Sequence, residues 1–281
     1  MDKFDPVADQ RAANASALGH YEAFAGHRAK LTELASSRAP ATGNGSLCVL
    51  GAGNCFDLDL ERLADAYGEI HLVDIDVPAL RGTVERHSAA VQAKLHVHGG
   101  IDLSGLLDRL ERWARGEITV EELTTHGDVT ARAVAHRLGR QFDVVLSACV
   151  LSQMQLSVVN GLGDGHRLIP VVSWTLTVTH FLTLAALTRS GGSALFATDI
   201  TASPIYPPLV GAANRDGLTL LNDAVRARKV FDFAEPGRVE EMMRDNPTLR
   251  ATLDWQLTDA WTWNNGPHVT FLVYAVVMPR R

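Results

Sequence analysis

Between residues 46 and 76 the chain places two apolar runs on either side of a glycine turn and a short helical segment, and few folds accommodate that order. Ser46-Leu-Cys-Val-Leu-Gly-Ala-Gly-Asn-Cys-Phe-Asp57 is an apolar run that ends abruptly at Gly51 and Gly53. Leu58, Leu60, Leu63 and Ala64 then recur at helical spacing, and Glu69-Ile-His-Leu-Val-Asp-Ile-Asp76 is a second apolar run closed by acids. A buried parallel strand that turns into a helix has this pattern, with glycines letting the backbone approach a ligand. The whole stretch predicts a β-α-β unit with an acid at the tip of its second strand, placed to hold ribose hydroxyls.

Two kinds of adenosine-bearing ligand use such a unit. A dinucleotide fingerprint needs G-x-G-x-x-G, whose third glycine packs helix against strand beneath a pyrophosphate. Here that third position is Phe56, and a phenyl group would crowd the packing, which disfavours NAD or FAD. Val49-Leu-Gly-Ala-Gly-Asn-Cys-Phe-Asp57 resembles instead the first motif of class I S-adenosyl-L-methionine (SAM)-dependent methyltransferases, and Leu72-Val-Asp-Ile-Asp76 resembles their second. The resemblance implies an α/β fold: a doubly wound, mostly parallel seven-stranded sheet with an antiparallel last strand, preceded by N-terminal helices.

Composition agrees with an ordinary globular enzyme. The 281 residues are 46% hydrophobic and 21% charged, enough to bury a sizeable core. A net charge of −6 supplies no basic field for nucleic acid. Cys48, Cys55 and Cys149 are odd in number and lack paired spacing, so neither a disulfide framework nor a metal site follows from them. Lys3, Lys30, Lys94 and Lys229 are the only lysines; arginine dominates, and with abundant alanine this suits a GC-rich bacterial genome. Met1-Asp-Lys-Phe-Asp-Pro is too polar for a secretory leader, so the expected location is cytoplasmic. The apolar stretch from Leu168 to Leu187 could span a membrane by length alone. Its threonines, Ser173 and His180 favour a buried helix, and no membrane partner is expected.

Taken in order, residues 1–45 predict a helical cap and linker, and residues 46–281 the SAM-binding domain. Leu18, Tyr21, Phe24, Leu31 and Leu34 outline a helical face before the breaker-rich linker from Arg38 to Ser46. By the resemblance, Tyr21, Phe24, His27 or Arg28 could line the acceptor side; as an ordinary amphipathic helix they would pack on the sheet. Val77 opens a second helix, Lys94–His98 alternates as a third strand, and residues 103–140 predict two helices broken at Gly116. Phe142–Cys149 predicts a fourth strand and resembles the family's fourth motif, with Gln153 where a histidine is common. A turn-rich loop, Asn160–His166, and an apolar helix, Pro170–Arg189, precede a fifth strand, Ser190–Ile200. Further helix from Ala212 to Arg244 leads to two closing strands, Leu253–Trp263 and His268–Met278, joined through Asn265-Gly-Pro267.

The resemblance implies cofactor contacts at Gly51, Ala52, Gly53, Asn54 and Asp57 from the first motif and at Asp74 and Ile75 from the second. It adds Asp102 after the third strand, and Ser147, Ala148 and Gln153 at the fourth. Asp102 fits equally as a helix N-cap. Asp74, rather than Asp76, is the chosen ribose partner. The fourth strand lacks an N-P-P-Y or D-P-P-Y sequence and any acid at 147–149, which disfavours DNA-amine and magnesium-dependent catechol types; no metal is expected. His166 and His180 are the candidate general bases, each with an ordinary alternative as a solvated or a core histidine, and Asp199 could meet the acceptor. The expected activity is in-line methyl transfer from SAM to an unidentified, small-molecule acceptor, with a protein side chain as a further option. Aminopropyl or aminocarboxypropyl transfer and a non-catalytic SAM-binding module are the alternatives. Oligomeric state is not legible.

Overall fold

The first apolar run forms β1 (Ser46–Leu50), buried along its entire length, and the second forms β2 (Glu69–Asp74). The computed structural model describes residues 5–212, 215–266 and 269–281. Met1–Phe4, and Pro267 and His268 of the expected closing turn, lie outside the described residues.

In chain order, α1 (Pro6–Ser16) and α2 (Ala25–Ser36) precede β1. Between β1 and β2 runs α3 (Leu60–Ala66), and α4 (Val77–Glu85) and α5 (Ala89–Gln92) lead to β3 (Leu95–Gly99). Then come α6 (Leu110–Ala114), α7 (Val120–Leu138), β4 (Phe142–Ala148), α8 (Val150–Leu162), α9 (Ile169–Leu187) and β5 (Thr188–Ala202). The chain closes with α10 (Gly217–Arg226), α11 (Pro236–Asp245), α12 (Pro247–Thr252), β6 (Gln256–Asn264) and β7 (Thr270–Pro279).

The seven strands lie in the order β3-β2-β1-β4-β5-β7-β6. β1 pairs in parallel with β2 and β4, whereas β7 runs antiparallel to both β5 and β6. The expected seven-stranded, mostly parallel, doubly wound sheet with an antiparallel last strand is therefore present. Its strands alternate between two cores. On β1, Leu47 and Val49 face α2, α3 and α4, while Cys48 and Leu50 face the layer of α6 to α12. Burial on both faces is why the central strands are continuous apolar runs.

Chain order reverses between β1 and β4, and ligands in open α/β sheets bind beyond the carboxyl ends of the strands at that point. Several local expectations shift. The N-terminal helical region is two helices joined by 3-10 turns, which leaves Leu18 and Tyr21 in solvent while Leu31 is buried. The leucines from 103 to 107 belong to turns, and helix resumes only at Leu110. α7 starts at a capping box, Thr119 with Glu122, and ends at left-handed Gly139. α9 is the apolar helix, long enough to cross a membrane, yet it crosses α7 so closely that a Cβ on Gly127 would lie 2.8 Å from Leu182. From Leu176 to Leu187 most of its residues are buried in the protein.

Gly217, buried at the start of α10, lies against the carbonyl of Ala260 on β6, where a Cβ would overlap that backbone oxygen. Gly217→Ala is expected to destabilise the fold by about 1–3 kcal/mol, the usual result of overpacking. Urea denaturation read by circular dichroism checks this; an unchanged midpoint would contradict the close approach.

Candidate active site

β1 ends in a turn that only particular residues can make. Gly51 has a φ of +74°, and any Cβ there would collide with Val150, the first residue of α8. The backbone N–H of Gly53 donates to Asp74 Oδ2 at 2.8 Å, and that of Asp76 donates to Asp74 Oδ1 at 2.7 Å. Burial pushes the Asp74 carboxyl above its ordinary range, while these two donors act against the shift. One carboxylate thus joins the glycine turn to the tip of β2. Asp76 is turned away: its carboxylate caps α4 at Ala79 and accepts from Asn14 Nδ2 of α1 at 2.8 Å. Asn54 fastens the same helix by donating to the Asn14 carbonyl at 2.7 Å. α1 buries no residue of its own, yet it lies over the turn through these polar bonds.

Beyond the turn opens a cavity of about 830 Å³. That is near the top of the roughly 300–1,000 Å³ common for small-molecule sites. Gly51, Ala52, Gly53, Asn54, Asp57 and Asp74 line its floor, and Ala148 and Gln153 its β4 side. Asp57 and Asp199 are among the carboxyl residues that line it. Asp57 is pushed up to about 7 by loss of water, partly opposed by Arg28. Asp199, at the carboxyl end of β5, is pushed up to about 6 by burial and accepts from Ser152 Oγ at 2.5 Å. The opposite wall is aromatic and cationic: Trp174 carries the Arg238 guanidinium 5.3 Å from its ring centre, and Phe231 stacks on Phe233 with 5.6 Å between centres.

Two buried polar atoms of the lining have no partner among the described residues. Gln155 donates through Nε2 to Ser173 and Thr177, which leaves its Oε1 without a donor. Trp263 stacks on His27 with ring centres 4.3 Å apart, and its Nε1 has no acceptor. Buried groups left in this condition are costly, and a ligand that pairs them recovers the cost.

The structure brings together most, but not all, of the expected residues. Ile75 and Asp102 border a recess of about 60 Å³ that shares Gly51, Asp74 and Gln153 with the main cavity. The Asp102 carboxylate accepts from Ser104 and Leu107, so it caps the turn before α6 while lining that recess. Ser147 is outside the lining: its hydroxyl lies 2.7 Å from His180 Nε2, and both residues are fully buried. Neither His180 nor His166 is among the described residues lining the cavity. His180 is enclosed because α9 is buried there, and His166 Nδ1 accepts from the Leu168 N–H in its own loop.

Phe24 reaches the lining, but Tyr21, His27 and Arg28 support it from behind. Arg28 stacks on Tyr21 at 3.8 Å and donates to the carbonyl of Phe56 at 2.7 Å. Sequence reasoning did not identify Ser152, Gln155, Arg238 or Trp263 as site residues. Ser152 and Gln155 lie in the first two turns of α8, just past β4, and were within reach of the motif; Arg238 and Trp263 come from remote elements with no local signal.

No family model matches the chain, and no curated protein matches it. Solved structures align along most of its length. The YcgJ protein of Bacillus subtilis is 10% identical, with 90% of this chain and 98% of the other covered and a TM-score of 0.45. SMU.1697c of Streptococcus mutans, solved in complex with SAH, is 10% identical over 90% of this chain and 98% of its own, with a TM-score of 0.43. The magnesium protoporphyrin IX methyltransferase of Synechocystis PCC 6803, solved with bound SAH, is 10% identical, covers 94% and 84%, and has a TM-score of 0.42. At these values the fold assignment rests on this chain's own strand order and its antiparallel β7.

Burial also gives the site's neighbours a pH signature. His27 accepts from Trp261 Nε1 at 2.9 Å, and burial lowers its pKa to about 3. The folded protein keeps it neutral, while the unfolded chain protonates it below about 6.5. Its stabilisation is therefore complete above about pH 6.5 and is lost as pH falls towards 3, by roughly 1.4 kcal/mol per unit. Asp57 works in the opposite sense, since its folded carboxyl is raised and holds a proton that the unfolded chain releases above about 4. Across pH 6.5 to 4.5, His27→Gln should flatten the acid loss of stability and Asp57→Asn should steepen it. Urea midpoints measured at several pH values test both; equal slopes in all three proteins would contradict the assigned protonation states.

Proposed function

We propose that this chain is a SAM-dependent methyltransferase acting on a small-molecule acceptor. The observation that carries the reading is one cavity, at the strand-order reversal, bounded on one side by the glycine turn with Asp74 and on the other by Asp199 and an aromatic wall. The donor set suits SAM. Its sulfonium and ammonium are cations, and Asp57, half-buried, and Asp199, buried, are raised carboxyls that a cation would return to the ionised form.

SAM supplies a methyl group already activated by the sulfonium. The chain's own residues position and exclude. Gly51 and Gly53 let the methionyl portion approach the backbone, and Asp57 meets its ammonium. Asp74 keeps lone pairs for the ribose hydroxyls beyond those used by Gly53 and Asp76. Ile75 and Asp102 flank the adenine side. Trp174, Phe231 and Phe233 offer flat apolar faces to the acceptor and displace water from it. The unpartnered Gln155 Oε1 accepts from an acceptor N–H or O–H, and Asp199, held by Ser152, removes the acceptor's proton. Alignment of two reactants in such a site supplies roughly 7–11 kcal/mol of the barrier reduction. The net charge of −6 favours a small molecule over nucleic acid.

Calorimetric titration with SAM and its demethylated product is the first test. Micromolar binding is expected, weakened roughly 10- to 100-fold by Asp74→Asn through loss of charged hydrogen bonds. Absence of binding to the folded wild type would overturn the reading. With an acceptor found by methyl uptake from labelled SAM, Asp199→Asn should lower kcat by roughly 10²–10⁴. It should also remove the rise in rate with pH around 6; a profile unchanged from wild type would exclude Asp199 as the base.

A further inference from the structure

A second cluster lies at the opposite end of the sheet from the cavity. Glu69 opens β2, whose other end is Asp74, and strand pairing sets His71 of β2 directly beside His96 of β3. Glu69 and His71 are two residues apart, so they share a face of the sheet, and parallel pairing brings His96 and His98 onto the same face. Glu69 Oε2 is 3.4 Å from His71 Nε2 and 3.9 Å from His96 Nε2, and one ligand atom from each of the three residues lies within 4.8 Å of the others. The three imidazoles stack, with His71 between His96 at 4.6 Å and His98 at 5.1 Å.

We infer that Glu69, His71 and His96 form a site for a divalent transition metal, with Zn²⁺ the best-suited ion. Two imidazoles and one carboxylate are a common three-ligand zinc set, leaving a fourth position for water. Zinc holds such ligands at about 2.0–2.2 Å, which sets ligand atoms roughly 3.3 Å apart in a tetrahedron. The separations of 3.4 and 3.9 Å from Glu69 Oε2 to the two imidazole nitrogens are already close to that value.

The surroundings are those of a built site. For Nε2 of His71 to ligate, its proton must be on Nδ1, and Nδ1 lies 2.8 Å from His98 Nε2, which can accept it. That second partner fixes both tautomer and ring plane, as outer-shell groups do in metal centres. The Phe142 ring packs against His71 at 4.8 Å and makes the inner wall dry. Glu69 divides its oxygens: Oε1 pairs with Arg140 Nη2 at 2.5 Å, which orients the carboxylate, and Oε2 is left to the histidines. The Arg140 charge opposes the ion, so the affinity expected is moderate. His71 is buried while the His96 side chain is about half exposed (47%), which gives an entry path. An ion here would tie the edge strand β3 to β2.

The test is titration of chelator-treated full-length protein with Zn²⁺, alongside thermal denaturation with and without the ion. One ion per chain is expected, with a rise in Tm. His98→Ala should weaken binding by roughly 10- to 100-fold, the usual outer-shell effect, and His71→Ala, His96→Ala and Glu69→Gln by at least as much. His96 and Glu69 are partly exposed, so those two variants keep the fold and the test decisive. His87→Ala, which alters a surface histidine paired with Glu61, should bind as wild type does. A wild type that takes up no Zn²⁺, or His96→Ala and Glu69→Gln variants that bind and gain Tm like wild type, would overturn the site.

Discussion

The carboxylate of Asp74, accepting at once from Gly53 in the turn after β1 and from Asp76 at the head of α4, is the interaction on which the rest of the site depends. It fixes the turn in the shape that Gly51 and Gly53 permit and sets where α4 begins. Once Asp76 is turned towards α4, its carboxylate is free to anchor Asn14, so the cover helix α1 inherits its position from the same bond pair. An ionised or partly protonated carboxyl in this location would be costly without donors; two backbone N–H groups make it tolerable. The ligand-facing floor is thus a hydrogen-bonded device, while the sheet below it is held by apolar burial on both faces.

The cavity holds polar groups whose needs the described residues do not meet. Asp57 and Asp199 are raised because they have exchanged water for a site with little compensating charge. Gln155 Oε1 and Trp263 Nε1 lack partners. In the supporting layers Ser147 pairs with His180, His27 with Trp261, and His126 with both Arg109 and the Ser104 carbonyl, while His27 Nε2, His180 Nδ1 and Trp113 Nε1 have no partner among the described residues. The segment from 103 to 140, which has no catalytic motif, serves that supporting layer. Its Trp113 is fully buried, and α7 provides the groove across which α9 packs.

The cover and the far wall differ in how they are built. α1 attaches through Asn14, Asn54 and Asp76 without burying a side chain. The region from Phe24 to α2 is fastened by aromatic packing: Phe24 against Trp263 at 5.1 Å, and His27 stacked on the same indole. Polar attachment exchanges readily with water, whereas an interlocked aromatic cluster does not.

The sequence by itself determined the sheet and its turn. Apolar runs buried on both faces, the glycines at 51 and 53, and the acid at 74 are local signals, because strand burial, positive φ and a strand-end carboxylate each act within a few residues. Seven strands with an antiparallel last one followed from the resemblance, while the order β3-β2-β1-β4-β5-β7-β6 came only from the structure. What only the tertiary structure decided was which side chains meet. His180 is a plausible base on its helix, yet α9 is turned so that it pairs with Ser147 inside the core. Gln155, Arg238 and Trp263 converge on one cavity from three distant segments, and no spacing announces them. The dyads Glu69-x-His71 and His96-x-His98 are unremarkable as text. They become one cluster only because parallel pairing sets residue 71 beside residue 96, and that register is fixed by the packing of the whole sheet.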